Sequence, residues 1–88
     1  MELKLTFHSD PGHGWLELPK VIARGLGPAF CNSISFYSYQ DRDNLYLEQD
    51  CDAPKALDAL KAANFTVTHV VKDYNNEAPI RDYKRVNC

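Results

Sequence analysis

Glu2-Leu-Lys-Leu-Thr-Phe-His-Ser-Asp-Pro-Gly-His-Gly-Trp-Leu-Glu-Leu18 is the stretch that decides the fold. Its first seven residues alternate. Leu3, Leu5 and Phe7 point one way, and Lys4, Thr6 and His8 point the other, the pattern of a half-buried strand. Asp10-Pro-Gly12 then signals a turn, with proline fixing φ and glycine tolerating positive φ. Trp15 to Leu18 reads as a second short strand. The chain therefore opens with an antiparallel pair joined by a loop crowded with histidine, aspartate and glycine.

Working outward, Pro19 to Leu26 has the spacing of a short helix, closed by Gly27-Pro28. Ala29 to Asn32 reads as loop. Ser33 to Gln40 and Leu45 to Gln49 read as a hairpin across the polar turn Asp41–Asn44. In that reading Ile34 and Phe36 face inward with Leu45 and Leu47. The opposite face carries Ser35, Tyr37, Tyr39, Tyr46 and Glu48. Asp52 has the character of an N-cap for a helix running to about Ala63, with Ala53, Ala56, Leu57, Leu60 and Ala63 or Asn64 as its buried stripe. Asn64 suits a left-handed C-terminal position. Phe65 to Lys72 alternates again as a strand, and residues 73–88 read as irregular or as an edge strand. The expected order is β-β-α-β-β-α-β. It gives one domain over residues 1–88, an α+β two-layer sandwich with a mainly antiparallel sheet and two helices on one face. Leu3, Leu5, Phe7, Phe36, Leu47 and Leu57 would share one buried layer.

The 88 residues carry a net charge of −2, with 44% hydrophobic and 25% charged side chains. That balance argues against a duplex-coating basic protein, whose affinity comes from neutralising phosphates. It also falls short of the acidity of a DNA mimic. No apolar run approaches the roughly 20 residues of a membrane span. The acidic, alternating N-terminus lacks the form of a signal peptide, so a cytoplasmic protein without membrane contact is expected. Cys31, Cys51 and Cys88 form no CxxC pair. They read as three unpaired thiols in a reducing compartment, not as a zinc site.

Four groups of residues are candidates for chemistry or binding. His8, Asp10 and His13 could ligate a metal or move protons, but they lack the helical spacing that makes such sets specific. Tyr37, Tyr39 and Tyr46, with His8 and Lys4, would form an aromatic sheet face for a protein partner or for unpaired bases. Glu48, Asp50 and Asp52 could chelate a hard cation, although a cap at Asp52 and solvated charges at the other two explain them as well. Arg81, Lys84 and Arg85 could meet phosphate or an acidic partner, or lie in a solvated tail. No nucleophile elbow, phosphate loop or dinucleotide fingerprint is present. Pro11-Gly-His-Gly14 precedes a strand and lacks the helix N-terminus that makes glycine loops bind phosphate.

Phe7-His-Ser-Asp-Pro-Gly-His-Gly-Trp-Leu-Glu-Leu-Pro19, with Phe36-Tyr-Ser-Tyr39 and Tyr46-Leu-Glu-Gln-Asp-Cys-Asp-Ala-Pro54, resembles short uncharacterised proteins of bacteriophages and other mobile elements. The resemblance spans most of residues 5–63. It implies a small accessory protein in a bacterial cytoplasm that binds a host or phage component. It transfers no activity or functional residue. The expectation is a non-enzymatic protein without a cofactor. It would contact a protein target through His8, Asp10, His13, Trp15, Tyr37, Tyr39 and Tyr46. Single-stranded nucleic-acid binding on the tyrosine face is the main alternative, and a metal-dependent enzyme at His8, Asp10 and His13 is a weaker one. An exposed sheet edge would also allow a homodimer.

Overall fold

The computed structural model describes residues 1–86. It is an α+β sandwich in which strands β1 (Glu2–Ser9) and β2 (Gly14–Pro19) are followed by helices α1 (Lys20–Gly25) and α2 (Pro28–Ser33). Strands β3 (Tyr39–Gln40) and β4 (Asn44–Glu48), helix α3 (Asp52–Ala62) and strand β5 (Thr66–Asp73) come next. A 3₁₀ turn (Pro79–Asp82) and β6 (Lys84–Arg85) close the described chain. The six strands form one sheet in the order β5-β1-β2-β4-β3-β6. All neighbours are antiparallel except β1 and β5, which run parallel from Glu2↔Thr66 to Ser9↔Asp73.

The opening pair forms as its alternation requires. Phe7 lies opposite Leu16 and His8 opposite Trp15. Leu5, Leu16, Leu18, Leu45 and Leu47 are buried on one sheet face with Ala23, Phe30, Ala56 and Leu60 from the helices. Leu3 and Phe7 are partly buried against that core. Gly14 is required by a close approach: a Cβ there would collide with the Phe7 ring and the Gln49 carboxamide. Helix α3 ends in a Schellman motif. Phe65 N–H donates to Leu60 C=O at 2.9 Å and Asn64 N–H to Lys61 C=O at 3.0 Å, with Asn64 at φ 68°. The left-handed role expected of Asn64 is therefore met.

Of the expected strand Ser33–Gln40 only Tyr39–Gln40 forms, as β3 paired antiparallel with β4; residues 33–38 stay out of the sheet. Gly27, at φ 103°, turns the chain into α2, with Pro28 in its first turn and Phe30 buried against the core. Residues 34–38 are then held out of the sheet by Asp52. Its carboxylate accepts from Ser35 N–H at 3.0 and 3.1 Å, from Ser35 Oγ–H at 2.7 Å, and from the Ser38 hydroxyl. Asp52 is accordingly not the N-cap of α3. It sits inside the first turn, and no side chain caps that helix. Phe36 does not enter the core; it is 68% exposed. Leu57, expected inside, is 40% exposed.

Residues 74–83 supply the largest departure from expectation. They fold back over the sheet face opposite the helices. Ala78 and Ile80 bury against Trp15 and Tyr46 in a second small core, flanked by Tyr39, Tyr74 and Tyr83. Tyr74 N–H donates to Ser9 C=O at 2.8 Å, and β6 pairs with β3. The face read as an open tyrosine platform is thus largely covered.

Candidate functional site

The Asp10–His13 loop is built around one carboxylate. Asp10 Oδ1 accepts from Gly12 N–H at 3.0 Å and His13 N–H at 2.8 Å, the geometry of an Asx turn. Oδ2 accepts from Ala78 N–H at 2.9 Å. Arg81 grips both oxygens, Nε to Oδ2 at 2.7 Å and Nη2 to Oδ1 at 2.9 Å. The Asp10 side chain is fully buried. The Arg81 guanidinium, with support from these backbone N–H groups, holds the Asp10 carboxyl well below the usual carboxylate range, and Asp10 in turn raises the pKa of Arg81. Asp10 is thus the clasp that ties the opening hairpin to residues 78–81.

That clasp leaves Asp10 no lone pair facing outward for a metal. His8 is equally committed. Its Nδ1 meets the Tyr74 hydroxyl at 2.8 Å and its Nε2 meets Glu17 Oε1 at 2.8 Å. Both ring nitrogens therefore have a hydrogen-bond partner. His8, Asp10 and His13 are not brought together. Among the described residues no group of three His, Cys, Asp or Glu side chains is arranged to hold a metal ion.

Tyr46 is 5% exposed, and its hydroxyl donates to Asp41 Oδ2 at 2.6 Å. Burial, followed by that bond, pushes its pKa far above the ordinary phenol value. Asp41 also accepts from Asp43 and Asn44 N–H to shape the β3–β4 turn. Of the seven residues expected to form a contact surface, His8, Asp10, Trp15 and Tyr46 are buried. His13 and Tyr37 are exposed, and Tyr39 is half-buried.

Those three meet at one place. A cleft of about 460 Å³ is lined by His13, Trp15, Tyr37, Tyr39, Arg81 and Arg85, together with Glu48, Asp50 and Cys51. Arg81 lies over the Trp15 ring at 5.4 Å and Arg85 over the Tyr39 ring at 4.3 Å. Trp15 meets His13 at 6.0 Å and Tyr39 edge-on at 6.2 Å. Tyr37 stacks on Phe36 at 4.7 Å, and both project outward, with Tyr37 53% exposed.

Arg81 and Arg85 are therefore not a solvated tail, because the 3₁₀ turn and β6 bring them to the cleft. Sequence reasoning undervalued them for want of any local signal for that long-range return. The acidic run divides. Glu48 is buried, and its Oε2 accepts from Asp50 and Cys51 N–H at 3.1 and 2.9 Å. Asp52 binds the serines, and Asp50 is exposed at the cleft.

Cys51 is an exposed free thiol. Desolvation of the thiol, with Glu48 and Asp52 nearby, raises its pKa. Cys31 is disulfide-bonded, which corrects the reading of three unpaired thiols; Cys88 lies outside the described residues. No helix among the described residues is long and apolar enough to cross a membrane.

No family model, curated protein or solved structure matches the chain.

Proposed function

We propose that the chain is a non-enzymatic accessory protein, of the phage- or plasmid-borne kind, that binds and modulates a protein target in the bacterial cytoplasm. The cleft at the hairpin loop is its contact. One observation carries this reading. An exposed Phe36–Tyr37 stack stands at the lip of a cleft rich in aromatic and arginine side chains. Solvated aromatic pairs have no role in an 88-residue core, whereas aromatic and arginine anchors dominate protein interfaces. The fixed loop and the arginine clasp present these groups with little ordering left to do on binding. The cytoplasmic placement rests on the resemblance to mobile-element proteins; the disulfide at Cys31 removes the thiol argument for it.

The test is an affinity capture from bacterial lysate, with and without nuclease, using the wild type and Tyr37→Ala, Phe36→Ala and His13→Ala. The expected result is one protein partner, retained after nuclease treatment, and lost by each variant at an unchanged melting temperature. Capture that survives all three substitutions removes the cleft from the interaction.

Single-stranded nucleic acid is a second reading, supported by the two arginines lying over aromatic rings. It predicts salt-sensitive quenching of Trp15, the one tryptophan, by a short oligonucleotide. No quenching at low salt eliminates it.

A further inference from the structure

The two ends of the sheet are treated differently. At one end β6 is two residues long and carries Lys84 and Arg85, the short, charged form by which proteins block unwanted strand pairing. At the other end β5 runs eight residues, Thr-Val-Thr-His-Val-Val-Lys-Asp, and pairs on one side only. Thr66 to Val71 contains no proline, no glycine and no Asp, Glu, Lys or Arg. Val70 and Val71 are 47% and 56% exposed. Beside this edge lies an apolar groove of about 350 Å³ lined by Phe7, Leu16, Ala53, Leu57, His69 and Val71.

We infer that the β5 edge is the site where a second copy of this chain docks, antiparallel, making one continuous sheet across a two-fold axis. The pattern on β1 and β5 is self-complementary in one register. An axis normal to the sheet at His69 sets Val67 against the partner's Val71, Thr68 against the partner's Val70, and Thr66 against the partner's Lys72.

The neighbouring β1 residues extend these rows, because Leu3 is paired with Val67, Phe7 with Val71, and Glu2 with Thr66. One face then carries the row Leu3, Val67, the partner's Val71, the partner's Phe7, apolar throughout. The other face brings Glu2 within reach of the partner's Lys72 across the small side chain of Thr66. Moving the axis one residue to Val70 puts Asp73 against Val67 and breaks both matches. Since the axis is normal to the sheet, α3 of each copy lies on the same face, and the two apolar grooves adjoin. A closed two-fold contact uses up this edge, as symmetric dimers do, while a foreign strand would have no reason to match these rows.

The test uses the full chain carrying Cys51→Ser, with His69→Cys or Val71→Cys added, under mild oxidation. A residue on the axis faces its own copy, so His69→Cys should give a covalent dimer of twice the 10.0 kDa chain mass. Val71→Cys faces Val67 of the other copy and should stay uncrosslinked. Sedimentation equilibrium of the unmodified protein should show a dimer. Val71→Lys should weaken it at least tenfold while keeping the wild-type circular dichroism spectrum, because position 71 is open to water in the single chain. Tyr37→Ala at the cleft should leave the dimer intact. A monomer at hundreds of micromolar, or equal crosslinking through positions 69 and 71, overturns the inference.

Discussion

Replacing Asp10 by asparagine tests the clasp that joins the two ends of the molecule. The substitution keeps the shape and removes the charge. Five donors converge on this carboxylate: three backbone N–H groups and two from Arg81. An amide has one oxygen, so its NH₂ must face an Arg81 donor together with either the Ala78 N–H or the Gly12 and His13 N–H groups.

Breaking a buried ion pair from one side costs roughly 3–5 kcal/mol. The Arg81 side chain is 28% exposed and regains some water, which places the loss at the lower end, about 3 kcal/mol. For 88 residues the total stability expected is about 4–13 kcal/mol, so the loss is a large share of it.

The sign with pH follows from the lowered folded-state pKa of Asp10. The unfolded chain binds a proton at about pH 3.9, and the folded state resists it. The contribution is therefore complete above that value and fades as pH falls toward the folded pKa. Urea unfolding followed by Trp15 fluorescence should show wild type and D10N separated by about 3 kcal/mol at pH 7, and converging below pH 4. A gap under about 1 kcal/mol, the size of an ordinary hydrogen bond, or a gap constant from pH 7 to pH 2.5, would refute the clasp.

Asp52→Ala should destabilise by about 3 kcal/mol, since it strands the buried Ser38 hydroxyl and the Ser35 N–H. Hydrogen exchange should accelerate at residues 35–38 first; uniform acceleration would argue against a local role. Asn64→Gly should be neutral or slightly stabilising, while Asn64→Ala should cost about 1 kcal/mol at a left-handed position. Equal melting temperatures for the two would contradict the helix terminus described. Gly14→Ala should be disruptive through its collision with Phe7, and restored stability in Gly14→Ala/Phe7→Leu would locate the cause. Alkylation without reductant should label Cys51 and spare Cys31; rapid labelling of Cys31 would reverse that distinction.

Local signals were legible where side-chain period and turn chemistry agreed. The alternation of residues 2–8, the Asp-Pro-Gly turn, the 52–62 stripe and Asn64 each depend on neighbours within a few residues. The sequence therefore predicts the opening hairpin, α3 and β5. Ser35-Phe-Tyr-Ser38 carries the same alternation and misleads, because Asp52 captures Ser35 and Ser38 and keeps these residues out of the sheet, which the chain joins only at Tyr39. Nothing near residue 36 announces that competitor. The candidate site was half legible for the same reason. His13, Tyr37 and Tyr39 reach a common cleft, but Tyr46, from the same aromatic pattern, is sealed beneath Ile80.

By itself, the sequence determined an α+β sandwich and a loop shaped by Asp10, since periodicity and turn geometry are short-range properties. Only the tertiary structure decided which end of the chain covers the second sheet face. The ion pair between Asp10 and Arg81 spans 71 positions, and no local pattern records that meeting. It turns a suspected metal ligand into a structural clasp, covers most of a supposed tyrosine platform, and carries two arginines to the cleft lined by His13, Tyr37 and Tyr39.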